Sequence, residues 1–184
     1  DTSITVPMVG GQYDVDWDND GIFDEFWLVD EVTHDFGVAG TYTILIKGSY
    51  DSISFQNAGD KYKILSLDQW GTQTWTTMGR AFDGCAYLEI LASDTPDFSA
   101  VTSMYRMFSS ANSANPDTSG WDTSAVTNMA DMFNPATVAN PDTSGWDTSA
   151  VTSMYRMFAG AKAANPDTSG WNTWAVTNMA YMFY

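Results

Sequence analysis

The chain has 184 residues, 44% of them hydrophobic, which is enough to bury a substantial core as one or two domains. It carries 7 Lys and Arg against 23 Asp and Glu, a formal net charge of −16 at pH 7. A field of that sign repels phosphate backbones and anionic lipids, which argues against nucleic-acid and membrane-surface partners and favours cations.

Short β-prone segments separated by Gly, Asn and Asp occupy the first fifty residues. They read ITVPMV, QYDVDW, IFDEFWLV and GTYTILIKG. The pieces DWDNDG and VTHDFGVAGTYTILI resemble the turn and the strand pair of the PKD-like β-sandwich, on a reduced scale. We therefore expect residues 1–51 to form a small all-β, sandwich-like module that covers the apolar end of the region behind it.

An acidic loop inside this module has the spacing of a calcium-binding loop. DWDNDGIFD places four carboxylates at alternate or near-alternate positions, at Asp16, Asp18, Asp20 and Asp24. Calcium loops of the thrombospondin type 3 and EF-hand kinds use such spacing to aim oxygens at one hard cation. The twelfth position, where an EF-hand supplies a bidentate carboxylate, is Trp27. The residues fit both a calcium site and the acidic turn of a β-hairpin.

A 25-residue repeat fills the second half of the chain, where NPDTSGW recurs at 115–121, 140–146 and 165–171. Val, Met, Met and Phe recur at i, i+3, i+6 and i+7 of each unit, and eight of the ten methionines fall in these columns. That spacing is typical of one face of an amphipathic helix. It predicts a helix of about two turns near 101–110, 126–135, 151–160 and 176–184.

Units this small cannot bury their own apolar faces, so they must stack on one another. We expect an α/β solenoid in which each coil of about 25 residues combines a short strand or turn with a short helix. The Met and Phe columns are expected in its core, with the Trp121, Trp146 and Trp171 column beside them. Degenerate units extend the repeat back to about residue 52, so 52–184 is the second predicted domain.

Two segments of this domain resemble a known family. AFDGCAYLEI resembles the Ala-Phe-x-x-Cys-x-x-Leu-x-x-Ile core of the BspA-type leucine-rich repeat, and WDTSAVTNMADMF resembles the repeat of BspA-like bacterial surface proteins. The resemblance implies a secreted or cell-surface adhesin whose partners are host or environmental glycoproteins or glycans. The sequence contains no export signal and stops inside a predicted helix, so we expect a truncated array from a larger repeat protein.

No catalytic motif, phosphate-binding loop or paired-carboxylate constellation is present, so the residues predict a non-enzymatic protein with no cofactor other than calcium. No apolar run approaches the roughly 18 residues of a membrane span, so direct membrane insertion is not expected. Cys85 and His34, each the only one of its kind, are expected to be structural. Two alternative functions stay open, a spacer in a long repeat array and an ice-binding surface built from ranks of threonine. The ranks in question are Thr118, Thr143, Thr168 and Thr123, Thr148, Thr173.

The exteriors of the predicted helices vary from unit to unit, which is where a binding face is expected. The two variable columns read Tyr-Arg, Ala-Asp, Tyr-Arg and Ala-Tyr, and Tyr and Arg are favoured binding residues. The candidate binding residues are Tyr105, Arg106, Asp131, Tyr155, Arg156, Trp174 and Tyr181. Stacking of the units predicts that Asp131 lies between two arginines. The alternative to a binding face is that these columns are ordinary solvent-exposed surfaces of alternating charge.

Each Asp-Thr-Ser segment places a negative charge at the same position of its unit, at Asp117, Asp142 and Asp167. Such carboxylates either accept hydrogen bonds from the following backbone amides in an Asx-turn or bind cations. The residues alone favour the Asx-turn.

Overall fold

The computed structural model describes residues 1–184, and all of its regular secondary structure is β-strand. The strands are β1 (Ser3–Val6), β2 (Met8–Val9), β3 (Gln12–Asp16), β4 (Glu25–Leu28), β5 (Val32–Asp35), β6 (Leu45–Ser49), β7 (Ser52–Ile53), β8 (Ser66–Leu67) and β9 (Glu89–Ile90). The helix predicted for each repeat is absent, so the expected α/β solenoid is wrong. The structure contains no helix long and apolar enough to cross a membrane.

The N-terminal region consists of small antiparallel sheets around its own core. β3 lies between β4 and β6, while β1 pairs with β5 and β2 pairs with β7. Alternation along β3 turns Tyr13 and Val15 inward, where they join Val6, Met8 and Trp17 in a cluster of five buried residues. β7 follows residue 51 and yet pairs with β2, so strand pairing crosses the predicted domain boundary, and the division there stays a prediction.

The N-terminal region packs directly on the start of the repeats. Tyr50 contacts both hydrophobic clusters, and its ring meets that of Trp75 edge to face with centroids 5.6 Å apart. The backbone N–H of Thr5 donates to the carboxylate of Asp60 at 2.6 Å. Apolar packing and hydrogen bonds therefore join the two parts of the chain.

The repeats form a stack of turns, which we call the repeat stack (residues 54–184). Within a unit, amides such as that of Met107 donate to the carbonyl three residues earlier, here Met104 at 3.1 Å. Every second amide instead donates to the next unit, as Met104 does to Asn128 at 2.9 Å. Parallel bridges link Ser103, Asn128, Ser153 and Asn178 in the same direction, and β8 and β9 form a short parallel pair. The backbone N–H and carbonyl groups are therefore paired by hydrogen bonds of the turns within each unit and by a ladder of hydrogen bonds between units.

A left-handed residue in each unit explains why no helix forms. Arg106, Asp131, Arg156 and Tyr181 have φ values of 55°, 55°, 53° and 59°. An α-helix needs φ near −63° and hydrogen bonds to the carbonyl four residues back. A positive φ at the third position of a four-residue turn is the mark of a type II turn. Apolar residues three positions apart occur in both arrangements, so periodicity could not separate them.

The predicted core columns are confirmed except in the last unit, where Met179 and Phe183 are exposed, even though the predicted helices are absent. The buried members are Met104, Met107, Phe108, Met129, Met132, Phe133, Met154, Met157 and Phe158, with Trp121 and Trp146 buried beside them and Trp171 partly buried. Phe rings stack in register from Phe82 to Phe183 with centroids 5.5–5.7 Å apart. Each such side chain contributes about 1.5–3 kcal/mol by leaving water, which makes this cluster of 28 residues the main core.

Candidate functional sites

The loop between β3 and β4 brings together three of the four predicted calcium ligands. One carboxylate oxygen each from Asp16, Asp18 and Asp24 lies within 4.8 Å of the other two. Asp20 does not join this group, and its exposed carboxylate accepts a hydrogen bond from the amide of Ile22 at 2.8 Å. We call the three clustered residues the acidic cluster.

Each carboxylate of the acidic cluster uses one oxygen within the loop and leaves the other without a protein donor. The donors are the backbone amides of Trp17, Asp20 and Gly21, at 2.8–3.2 Å. Asp16 differs from the other two because it is 0% exposed, so its unpartnered Oδ1 is also shielded from solvent. An unsatisfied carboxylate oxygen in the interior is costly and uncommon.

No basic side chain neutralises the acidic cluster. The ion pairs of the protein use Asp1, Asp14, Glu25, Asp60 and Asp83 instead. At 4.8 Å, two carboxylates repel each other by about 0.9 kcal/mol in bulk water and about 3.5 kcal/mol at an effective dielectric constant of 20. A cation held among them would remove this repulsion.

The sheet beneath the loop holds the acidic cluster in place. The Trp17 ring stacks on His34, with centroids 4.5 Å apart and planes 13° apart, and its indole N–H donates to Glu25 at 2.9 Å. His34 Nδ1 lies 3.8 Å from the same Glu25 carboxylate. His34 therefore packs as a structural residue, as expected.

Most of the candidate binding residues lie at turn corners along one edge of the repeat stack. They occupy the two central positions of equivalent turns, the first of which runs from Met104 to Met107. We call this line the corner ridge, and it comprises Tyr105, Arg106, Asp131, Tyr155, Arg156 and Tyr181. Trp174 is 96% exposed but lies in the column of Ser124 and Ser149, away from the ridge.

The prediction that Asp131 lies between two arginines is wrong. Arg106 turns to the preceding unit, where its Nε lies 3.4 Å from the carboxylate of the fully buried Asp83. Asp131 instead accepts a hydrogen bond from the Asn134 side chain at 2.6 Å, and no ion pair joins it to Arg156. Burial raises the pKa of Asp83, and the nearby guanidinium of Arg106 partly offsets this.

Arg156 contacts aromatic rings in place of a carboxylate. Its guanidinium lies 5.1 Å from the Tyr155 ring centroid and 5.5 Å from that of Tyr181, and these two rings meet edge to face. Arg80 stands over Tyr105 in the same way at 5.5 Å. Arg80 was not among the predicted binding residues, although aligning Met78 with Met104 places it in the column of Arg106.

The Asx-turn interpretation of the Asp-Thr-Ser segments is confirmed. Asp142 accepts hydrogen bonds from the Ser144 amide at 3.0 Å and from its hydroxyl at 2.7 Å. The same amide bond recurs at Asp117, Asp122, Asp147 and Asp167. These bonds hold the pKa of each carboxyl below its usual range. Each turn thus satisfies its own charge.

The two threonine ranks lie mostly inside the repeat stack. Thr118, Thr123, Thr143 and Thr148 are buried, and their hydroxyls donate to backbone carbonyls of the next unit at 2.6–3.0 Å. Threonine methyls and hydroxyls used in this way offer no flat surface to water. Four of the six threonines named for the ice-binding alternative are therefore not at the surface.

Cys85 lies in the core, as expected for a small structural residue. Burial raises the pKa of its thiol to about 12. The thiol is therefore protonated at neutral pH, which removes the nucleophilic form.

Fold and sites together define a repeat protein, a stack of 25-residue turn units joined to a β-structured N-terminal region. A family model described as "Mycoplasma protein of unknown function, DUF285" matches residues 52–138 and 76–184. The chain belongs to this family, and both matches lie in the repeats. Comparison with curated proteins and with solved structures finds no match.

Proposed function

We propose that the chain is a non-enzymatic binding module of an exported bacterial surface protein, which attaches to glycoproteins or glycans through the corner ridge. The resemblance of AFDGCAYLEI and WDTSAVTNMADMF to BspA-like leucine-rich-repeat surface proteins supports this proposal. The resemblance of the N-terminal segments to PKD-like modules supports an extracellular location. The ligand in this proposal is neither a nucleic acid nor a membrane.

The observation that carries the proposal is backbone strain at the corner ridge. Its left-handed positions hold Arg106, Asp131, Arg156 and Tyr181, where glycine would have no steric cost, and Arg80 has the same conformation in the preceding unit. A left-handed conformation costs a residue with a Cβ atom roughly 1–2 kcal/mol. Strained positions of this kind cluster at functional sites. Long side chains are therefore held on the ridge at the expense of stability.

Arg156 is the ridge arginine that has no ion pair within the protein to account for its presence. Arg106 has a structural role because it pairs with the buried Asp83. Arg156 is exposed and contacts only the rings of Tyr155 and Tyr181 among ionic and aromatic partners. We assign the ligand contact to Arg156 and its two tyrosines.

The chemistry of this group suits saccharides and protein surfaces. Tyrosine rings offer an apolar face and a polar tip, and a guanidinium donates several hydrogen bonds in a fixed plane. The backbone ladder between units holds the group with little entropy left to lose on binding. Arg156 also supplies an unpaired positive charge on a chain of net charge −16.

The test is binding of the purified chain to glycan and matrix-glycoprotein arrays. Tyr155→Ala combined with Tyr181→Ala should weaken binding by about tenfold or more while leaving the melting temperature near that of the wild type. The control is Tyr87→Ala, a tyrosine that is 61% exposed and lies off the ridge. Equal binding by the double variant would move the contact off the ridge, and absence of binding by the wild type would favour a spacer.

A second pair of variants tests the strain argument. Arg156→Gly should be more stable than Arg156→Ala by about 1 kcal/mol, because glycine adopts a φ of 53° without a Cβ clash. Both variants should lose ligand binding equally. If the two variants had equal free energies of unfolding in urea, position 156 would not be strained, and backbone strain would no longer support a binding role.

A further inference from the structure

We propose that the loop between β3 and β4 binds one calcium ion through the carboxylates of Asp16, Asp18 and Asp24. The ion would link the end of β3 to the start of β4 and stabilise the N-terminal region. This proposal does not depend on ligand binding by the corner ridge.

The buried oxygen of Asp16 is the first argument. Asp16 is 0% exposed, its Oδ2 accepts the Gly21 amide at 2.9 Å, and its Oδ1 has no donor. Buried carboxylate oxygens in folded proteins are hydrogen-bonded, paired with a cation or bound to a metal. No protein donor and no basic side chain serves Oδ1, which leaves this oxygen free to coordinate a cation.

The geometry of the acidic cluster is the second, independent argument. Oxygens on opposite sides of a calcium ion are about 5 Å apart, since each calcium–oxygen distance is roughly 2.3–2.6 Å. One oxygen from each carboxylate of the cluster lies within 4.8 Å of the other two, so all three fit around one ion. Each carboxylate also accepts a loop amide through one of its oxygens, which fixes its orientation.

The donor set selects the kind of cation. All three side chains offer oxygen, and none offers the nitrogen or sulfur that zinc and copper prefer. Calcium accepts several carboxylates in irregular geometry, whereas magnesium requires a near-ideal octahedron and keeps most of its water. An irregular loop with three clustered carboxylates therefore fits calcium better than magnesium.

The ion would act on the fold as well as on the loop. The Asp24 amide donates to the Val15 carbonyl at 2.9 Å, and Trp17 lies in the N-terminal core. A bridge from Asp16 to Asp24 would close the β3–β4 hairpin over that core. Calcium should therefore raise the stability of this region by mass action.

The experiment titrates the purified 184-residue chain with calcium chloride or magnesium chloride at constant ionic strength. The melting temperature should rise with calcium, with half-saturation roughly between 10⁻⁴ and 10⁻³ M, and should rise much less with magnesium. Terbium added as a calcium substitute should give luminescence sensitised by Trp17, whose amide donates to Asp24 at 2.8 Å. Calcium should displace that signal.

Two variants make the test specific. Asp16→Asn removes one ligand charge and should weaken calcium and terbium binding by about tenfold or more. Asp142→Asn makes the same change in an Asx-turn of the repeat stack and should leave both unchanged. Equal effects of calcium and magnesium, or melting curves identical in calcium and chelator, would overturn the site. Should Asp16→Asn fail to fold, the wild-type titrations still decide the outcome.

Discussion

The acidic cluster of the N-terminal region and the Asp-Thr-Ser turns of the repeat stack use the same side chain in opposite ways. In the turns, each carboxylate stands alone and accepts hydrogen bonds from its own serine, as Asp142 does from Ser144. In the cluster, three carboxylates converge within 4.8 Å, and one buried oxygen is left without a donor. A periodic series of aspartates therefore does not indicate a cation site. Several carboxylates that converge around a buried oxygen without a hydrogen-bond donor do indicate one.

The turns tolerate their periodic charge because local bonds outweigh the repulsion between units. Asp117 and Asp167 push the pKa of Asp142 upward, but the hydroxyl and amide of Ser144 lower it by more. These carboxylates are also exposed, so solvent and salt screen their repulsion. We therefore expect the stability of the repeat stack to be independent of calcium.

Met132→Ala should give the largest effect and test that independence. Met132 is 0% exposed within the main core, so its truncation should cost about 2–5 kcal/mol in urea unfolding. The loss should be equal in calcium and in chelator, because the site lies far along the chain from the acidic cluster. Met132→Leu, which nearly keeps the volume, should cost less than about 1.5 kcal/mol. A loss at Met132 that depended on calcium would couple the two regions and contradict the comparison.

Thr143→Val should give an intermediate effect inside one Asp-Thr-Ser turn. The buried Thr143 hydroxyl donates to the Asp167 carbonyl at 2.7 Å, and valine keeps the shape but not the donor. We expect a cost of about 1 kcal/mol in urea unfolding. Thr152→Val is the matched control, because the exposed Thr152 makes a similar bond to Thr127 at 3.0 Å and should change stability by less than about 0.5 kcal/mol. Equal costs at the two positions would show that burial of the Thr143 hydroxyl adds nothing to the contribution of its hydrogen bond.

The sequence predicted which residues form the repeat core but not the backbone that carries them. Burial of the Met and Phe columns follows from their period, because any stack of such units must hide them. The choice between helix and successive turns depends on the φ of one residue per unit, such as Arg106. Arg and Tyr, which occupy most positions of that column, carry no signal for a positive φ, as Gly would. The ladder that stabilises the turns joins residues about 25 positions apart, beyond the reach of local propensity.

The candidate sites were predicted to a similar, partial extent. Spacing identified the acidic loop, but only the fold separates Asp20 from its three neighbours and buries Asp16. Column alignment located the corner ridge, but it paired Arg106 with the wrong carboxylate. Asp83 has no acidic counterpart in the later units, so no repeat pattern pointed to the pair that it forms with Arg106.

The smallest expected effect is the contribution of the turn carboxylates to acid stability. Their pKa values lie below the ordinary value of 3.8, because each ionised form accepts hydrogen bonds in the folded state. A lowered pKa adds stability that is present above the unfolded value and is lost as the pH falls through the folded one. Wild-type stability should therefore decline below about pH 5.

Replacing three stacked carboxylates, in the combined variant Asp117→Asn, Asp142→Asn and Asp167→Asn, should flatten that decline. The asparagine oxygen can still accept the amide of the Asx-turn, but it does not titrate. Melting temperatures measured between pH 6 and pH 3 in chelator should fall less for the variant than for the wild type. Chelator is needed because bound calcium would add its own pH dependence through the acidic cluster. Parallel acid profiles would mean that these turns do not retain their hydrogen bonds in solution, and the contrast with the acidic cluster would then fail.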